Sequence, residues 1–237
     1  MSQGAGRCWG VVPAAGIGAR MGTDLPKQYL PLAGASVLEH SLRALLACPR
    51  LAAVMVALHP EDIRAQSLAV FADPRVQQVT GGAQRSDSVR LALAALLQQQ
   101  ADPRDWVLVH DAARPCLRAA DVEALIAAVT ASDRGAILAE PIVDTVKQAG
   151  DDGLVQRTLD RRGLWRAQTP QMFRLGELHD ALQDAAGRGL AITDEASAME
   201  LAGHPVQLVS GPARNLKVTL PADLELARWY LSGSESA

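Results

Sequence analysis

The chain has 237 residues, 49% hydrophobic and only 3% aromatic, enough for one α/β domain with a modest excursion and a core built of Ala, Leu and Val. Charged residues make up 21% and the formal net charge is −3, which excludes a general nucleic-acid binder but leaves a small phosphorylated substrate open, since a few local cations suffice for it. Cys8, Cys48 and Cys116 are widely spaced with no CxxC pair, which argues against a disulfide framework or a cysteine zinc site. The opening MSQGAGRCWG does not read as a signal peptide, and no apolar run reaches the ~20 residues of a membrane span. A soluble, cytoplasmic protein with no membrane partner is expected.

Along the chain, short apolar runs alternate with longer helical ones. Trp9–Val12 reads as a strand and runs into a glycine-rich stretch. Ser36 and Glu39 have the spacing of a capping box, opening a helix that Pro49 ends near Cys48. Val54–Leu58 is a buried strand, Ser88–Leu97 a helix, Trp106–His110 a second buried strand, Asp121–Thr130 a helix and Ala136–Ala139 a further strand. Between about 141 and 163, a Gly-Asp-Asp-Gly turn separates two alternating runs, the pattern of a β-hairpin arm, whether a plain surface hairpin or one exchanged with a second subunit. Then follow TPQMF, a helix around Asp194–Ala202, strands near Val206–Val209 and Asn215–Val218, and a closing helix from Pro221. The alternation predicts an α/β, Rossmann-like, mainly parallel sheet with helices on both faces and a projecting arm, all within a single domain spanning 1–237. Ligands of such sheets bind beyond the carboxyl ends of the strands.

Two motifs fall at such ends. Val11 to Met21 reads VVPAAGIGARM, whose glycines and alanines let backbone amides approach phosphate oxygens. Gly16 and Gly18 begin a G-x-G-x-x-G pattern, but Met21 stands at its third glycine and Arg20 lies inside the loop; no G-K-[ST] of a P-loop is present. Arg20 or Lys27 alone reads as surface charge. Together, beside a small-residue loop, they suit a triphosphate and its leaving pyrophosphate. Trp106–His110 runs into Asp111, placed for a magnesium or sugar ligand or for capping the next turn. His110 is expected to pack or to make one hydrogen bond. In GGAQRSDS, Ser86 or Ser88 could cap the following helix, or the backbone and the Ser88 hydroxyl could read a base edge. Lys217 is an edge-strand lysine or a phosphate clamp.

PAAGIGARM, PKQYLPLAG, SVLEHS, GGAQRSDSV, VLVHDAARP, DTVK, LWRAQTPQMF, ITDEAS and NLKVT, in this order from Val11 to Thr219, resemble the 2-C-methyl-D-erythritol 4-phosphate cytidylyltransferases. PAAGxGxRM with a following PK is general among nucleotidyltransferases; HDAARP with TPQ and TDEAS is more specific. The resemblance implies that CTP and 2-C-methyl-D-erythritol 4-phosphate, a small polyol phosphate, react with Mg²⁺ or another divalent cation. Arg20 and Lys27 would stabilise the transition state, and Ala14, Ala15 and Gly16 would supply the phosphate loop. Gly82, Ala83 and Ser88 would hold cytosine. Asp111, Ala112 and Arg114 would bind ribose, metal or substrate, with Asp111 a candidate Mg²⁺ ligand. Lys217 would hold the substrate phosphate, and Thr169 and Thr193 would line the methylerythritol pocket. The family's arm crosses into a homodimer partner, so Thr145 and Arg161, or its neighbour Arg162, would complete the other subunit's site.

A ribitol 5-phosphate cytidylyltransferase is the nearest rival, although the two alanines of HDAARP lean toward methylerythritol. An NAD-dependent oxidoreductase would want glycine at Met21 and an acidic end to the second strand, which instead ends Leu58-His59-Pro60. A silent binding module on the same fold would be expected to lack Arg20, Lys27 and Lys217 together.

Overall fold

The computed structural model describes residues 6–16, 25–99 and 101–233. In chain order, β1 (Cys8–Ala14) leads to a small ribbon, β2 (Pro31–Leu32) and β3 (Ala35–Ser36), and then to α1 (Val37–Leu46), β4 (Leu51–Leu58) and β5 (Val76–Thr80). Next come α2 (Arg85–Gln98), β6 (Trp106–Val109), α3 (Ala119–Ser132) and β7 (Ala136–Pro141). The arm strands β8 (Val146–Ala149) and β9 (Val155–Leu159) precede β10 (Trp165–Arg174), α4 (Leu175–Gly187), α5 (Glu195–Leu201), β11 (Gln207–Ser210) and α6 (Pro221–Ser232). No helix among the described residues is long and apolar enough to cross a membrane.

The main sheet has seven strands in the order β11-β7-β10-β6-β1-β4-β5. Every neighbouring pair is parallel except those made by β10, which runs antiparallel to both β6 and β7. Successive strand residues face opposite sides of a sheet, so a strand covered on both faces is apolar throughout. Val11 accordingly packs on the side of α2, α4 and α5, with Val89, Leu93, Leu178 and Met199. Val12 packs on the side of α1 and α3, with Leu38, Leu42, Leu125 and Ile126. The capping box opens α1 as expected: the Glu39 amide donates to Ser36 Oγ at 3.2 Å, and the Ser36 amide to Glu39 Oε2 at 2.9 Å.

The hairpin arm is present as β8 and β9, a separate antiparallel ribbon turned at Gly150–Gly153, where Gly153 has φ +76°. One expectation needs correction, and further elements were not anticipated. Asn215–Val218 is not a strand. It pairs with no strand among the described residues and is held as a loop instead: the Val218 amide donates to the Ala113 carbonyl at 2.8 Å, and buried Asn215 Nδ2 donates to the Thr169 carbonyl at 2.8 Å. The TPQMF segment belongs to β10, whose strand character was not anticipated. Nor were β5, with two valines among polar residues, and α4.

Candidate active site

The parallel strands β1, β4, β5 and β6 share one carboxyl end, and there the loops after β1, β5 and β6 border a cleft of about 330 Å³, within the range of small-ligand sites. One wall is Pro13–Gly16, another Gly82–Arg85 with Ser88; Asp111–Ala113, Lys27, Gln28, Lys217 and Thr219 complete it. Expected residues Ala14, Ala15, Gly16, Lys27, Gly82, Ala83, Ser88, Asp111, Ala112 and Lys217 therefore converge, although they come from well-separated parts of the chain. Arg20 lies outside the described residues.

The two small-residue walls touch. A Cβ on Gly81 would lie 2.6 Å from the Ala15 Cβ and 2.9 Å from Ser88 Oγ, so only glycine lets the loops approach this closely. Buried Ser88 cross-links its own loop, its Oγ accepting from the Gly82 amide at 3.1 Å and lying 3.1 Å from the Gln84 carbonyl. The hydroxyl thus shapes the loop from behind. Gln28, which the sequence reading passed over, is buried, and its Nε2 donates to the carbonyls of Ala14 and Gly16, both at 2.9 Å. With those carbonyls held inward, the loop is stiffened at the point where phosphate is expected.

The floor of the cleft is a charged cluster around Asp111. Oδ1 accepts from Arg85 Nε at 2.8 Å, Oδ2 lies 2.9 Å from Lys217 Nζ, and Arg114 Nε is 3.6 Å from Oδ2. Burial alone would raise the carboxyl pKa, but the attraction of Arg85, Lys217 and Arg114 outweighs it and holds the group well below the ordinary carboxylate range. The Asp111 side chain therefore organises cations; only its backbone carbonyl serves the turn, accepting from the Arg114 amide at 3.1 Å. Arg114 does not line the cleft, and its Nη1 donates to the Asn215 carbonyl at 2.6 Å.

His110 makes two hydrogen bonds where at most one was anticipated, because full burial leaves neither ring nitrogen access to water. Nε2 faces the Arg114 carbonyl at 3.1 Å, an acceptor, which assigns the ring hydrogen to Nε2. Nδ1 then accepts from Thr169 Oγ1 at 3.0 Å, and that oxygen accepts from the Asp111 amide at 3.0 Å. Buried Thr169 is thus a brace behind Asp111 and does not line the cleft. Thr145, Arg161 and Thr193 are exposed and also lie outside the lining.

Arg85 and Glu195 were missed as site residues although both lie within quoted motifs. The available signal was Arg85 itself: a cation in the first turn of a helix opposes the macrodipole unless an anion meets it. Here two carboxylates do, Asp111 and Glu195.

A glycine-rich wall and clustered cations at the carboxyl end of a mainly parallel sheet suit a nucleotide enzyme, and the solved structures of similar shape make the class an α/β nucleotidyltransferase. A Francisella tularensis 2-C-methyl-D-erythritol 4-phosphate cytidylyltransferase structure superposes with TM-score 0.81 at 35% identity, covering 94% of this chain and 99% of that one. A structure titled 4-diphosphocytidyl-2C-methyl-D-erythritol synthase gives TM-score 0.83 at 39% identity, covering 95% and 99%. In sequence, the 2-C-methyl-D-erythritol 4-phosphate cytidylyltransferase of Pseudomonas fluorescens (strain Pf0-1) is 52% identical over 220 residues, covering 93% of this chain and 94% of its own. That of Vibrio vulnificus (strain YJ016) is 49% identical over 222 residues, covering 94% and 93%. The family model described as IspD: 2-C-methyl-D-erythritol 4-phosphate cytidylyltransferase matches residues 9–233. The chain belongs to the 2-C-methyl-D-erythritol 4-phosphate cytidylyltransferase family.

Proposed function

We propose that this chain carries out its family's reaction, joining CMP from CTP to 2-C-methyl-D-erythritol 4-phosphate in the cleft beyond β1, β5 and β6. The observation that carries this reading is the ordered cation cluster on Asp111 facing a small-residue phosphate wall. The products are 4-diphosphocytidyl-2-C-methyl-D-erythritol and pyrophosphate. A phosphate oxygen of the acceptor attacks the α-phosphorus of CTP in line, while the bond from that phosphorus to the oxygen bridging to the β-phosphate breaks. The acceptor oxygen is already ionised at neutral pH, so no general base is required. Catalysis is then positioning and neutralisation of charge.

In this scheme Ala14, Ala15 and Gly16 cradle the triphosphate with their backbone. Arg20 and Lys27 stabilise the charge that grows on the pyrophosphate side in the transition state. Gly82 and Ala83 contact cytosine, with Ser88 holding their loop in shape. Asp111 and Ala112 border the ribose and acceptor with Arg114 behind Asp111 outside the lining, Lys217 clamps the acceptor phosphate and Thr169 braces Asp111, while the place of Thr193 at the acceptor rests on the resemblance alone. Thr145 and Arg161 are exposed on or beside the arm and outside the lining of their own cleft, which supports their serving the site of a second copy in an arm-exchanged homodimer. A cytoplasmic location and a single domain with the arm at about 141–163 complete the reading.

Mg²⁺ fits the donors present. Among the described residues no group of three His, Cys, Asp or Glu side chains could hold a metal by itself. Mg²⁺ normally takes only one or two carboxylates and completes its shell with phosphate oxygens and water. Asp111 has lone pairs left beyond those facing Arg85 and Lys217, so it can be that one carboxylate. When bound, the ion neutralises triphosphate charge.

The test is pyrophosphate release from CTP and Mg²⁺, with 2-C-methyl-D-erythritol 4-phosphate and ribitol 5-phosphate in parallel. Release with the first alone is expected. Release with the second alone would keep the chemistry and overturn the acceptor, and silence with both would overturn the enzyme reading.

A further inference from the structure

Glu195 is 1% exposed and does not line the cleft, yet its carboxylate is engaged in full by a residue that does. Arg85 Nη1 donates to Glu195 Oε1 at 2.7 Å and Nη2 to Oε2 at 3.0 Å, while Nε of the same guanidinium donates to Asp111 Oδ1 at 2.8 Å. Glu195 is itself fixed from β10. Gln171 Nε2 donates to the Asp194 carboxylate at 2.9 Å, and the Ala196 amide donates to Gln171 Oε1 at 2.8 Å, one bond on each side of Glu195. A carboxylate in such a place is costly to bury, and an apolar residue of similar volume would fill it without that penalty. The charge therefore calls for an explanation beyond packing.

The geometry of the fork supplies one. A guanidinium prefers to meet a carboxylate side-on with two parallel hydrogen bonds. Both terminal nitrogens meet Glu195, which fixes the plane and direction of the guanidinium, and in that orientation Asp111 receives Nε at Oδ1. Oδ2 is left facing Lys217 Nζ at 2.9 Å. Were the Glu195 charge absent, the guanidinium would no longer be held in this orientation, and the Asp111 carboxylate it braces would no longer be fixed with Oδ2 toward Lys217.

We propose that Glu195 and Arg85 are positioning residues for the acceptor phosphate: Glu195 fixes the Arg85 guanidinium, Arg85 holds the Asp111 carboxylate through Oδ1, and Oδ2 so placed sets the Lys217 ammonium against that phosphate. This rests on the reading of Lys217 as the acceptor-phosphate clamp.

The experiment compares wild type, Glu195→Gln, Lys217→Ala and the double variant, measuring kcat and KM for 2-C-methyl-D-erythritol 4-phosphate, CTP affinity by calorimetry, and Tm. Glu195→Gln keeps the side-chain shape and removes the charge. Its kcat/KM for the acceptor should fall about tenfold or more while CTP affinity stays within about twofold. In the Lys217→Ala background the same change should cost less than about twofold, because the residue it acts through is gone. Loss of Tm with unaltered acceptor kinetics would overturn the proposal, as would a full multiplicative loss on top of Lys217→Ala. Should Glu195→Gln fail to fold, Glu195→Asp, which keeps the charge but shortens its reach to the Arg85 fork, takes its place with the same expected outcomes. Silence of the wild-type protein with this acceptor would overturn the functional reading first, and the proposal with it.

Discussion

Lys27 and Arg20 are assigned to charge that develops only as pyrophosphate leaves, so their loss should act on turnover and not on binding. Lys27→Ala and Arg20→Ala should each raise the barrier by about 2.7–4 kcal/mol, by analogy with a lost oxyanion donor, with CTP affinity changing far less. Single-turnover kinetics beside calorimetric CTP titration would check this; near wild-type turnover in either variant would remove that residue from catalysis. His110 makes a different prediction. Burial pushes its imidazole from 6.5 down to about 4, against the pull of the Asp111 carboxylate. Between those values the unfolded chain binds a proton that the folded chain excludes, so stability falls as pH drops through the window. By about pH 4 the loss from this one group is on the order of 3 kcal/mol. Asp111 contributes in a separate window: its depressed carboxyl stabilises the fold above the ordinary aspartate pKa, and that contribution is lost only on further acidification. Urea melts of wild type and His110→Asn across this range should therefore differ in slope, the variant being flatter between pH 6.5 and 4.

At the scale of elements, the central strands β1, β4 and β6 and the opening of α1 were readable, because a doubly covered strand is continuously apolar and a capping box has a fixed spacing. β5 was not, since Val76 and Val79 are separated by two glutamines on a half-buried edge. Asn215–Val218 was misread for the opposite reason: an alternating pattern looks like a strand, but a strand needs a neighbour to complete its ladder, and the residues turn instead to loop carbonyls. Replacing the α1 cap by Ser36→Ala removes the acceptor of the Glu39 amide and should cost about 1 kcal/mol of stability, read as a shift in the urea midpoint at unchanged slope. Since Ser36 lies outside the cleft, CTP affinity should hold.

For the whole molecule, the arm poses the main question. Val143, Leu154 and Val155 are exposed along it, and Thr145 and Arg161 do not line the cleft they are assigned to complete. If the arm serves a second copy, Arg161→Ala should weaken use of the polyol phosphate and leave CTP affinity unchanged. Mixing the impaired Arg161→Ala and Lys27→Ala subunits should then raise activity above that of either alone, because a mixed dimer contains a site in which both residues are intact. Mixtures that gain no activity although subunits exchange would show that each arm serves its own cleft.

Local physics made much of this legible in the amino-acid order: strand apolarity, the glycine and alanine wall, the cations Lys27 and Lys217, and Asp111 at the end of β6. The motifs around them carried the family resemblance as well. What only the tertiary structure decided is how these side chains divide their hydrogen bonds. Gln28 turns to the Ala14 and Gly16 carbonyls, Thr169 stands behind Asp111, Ser88 stays within its own loop, and Glu195 reaches Arg85 across 110 positions of sequence. A side chain's chemical type is local, but its partner is whichever group the fold brings within about 3 Å, and burial requires that the partner be found.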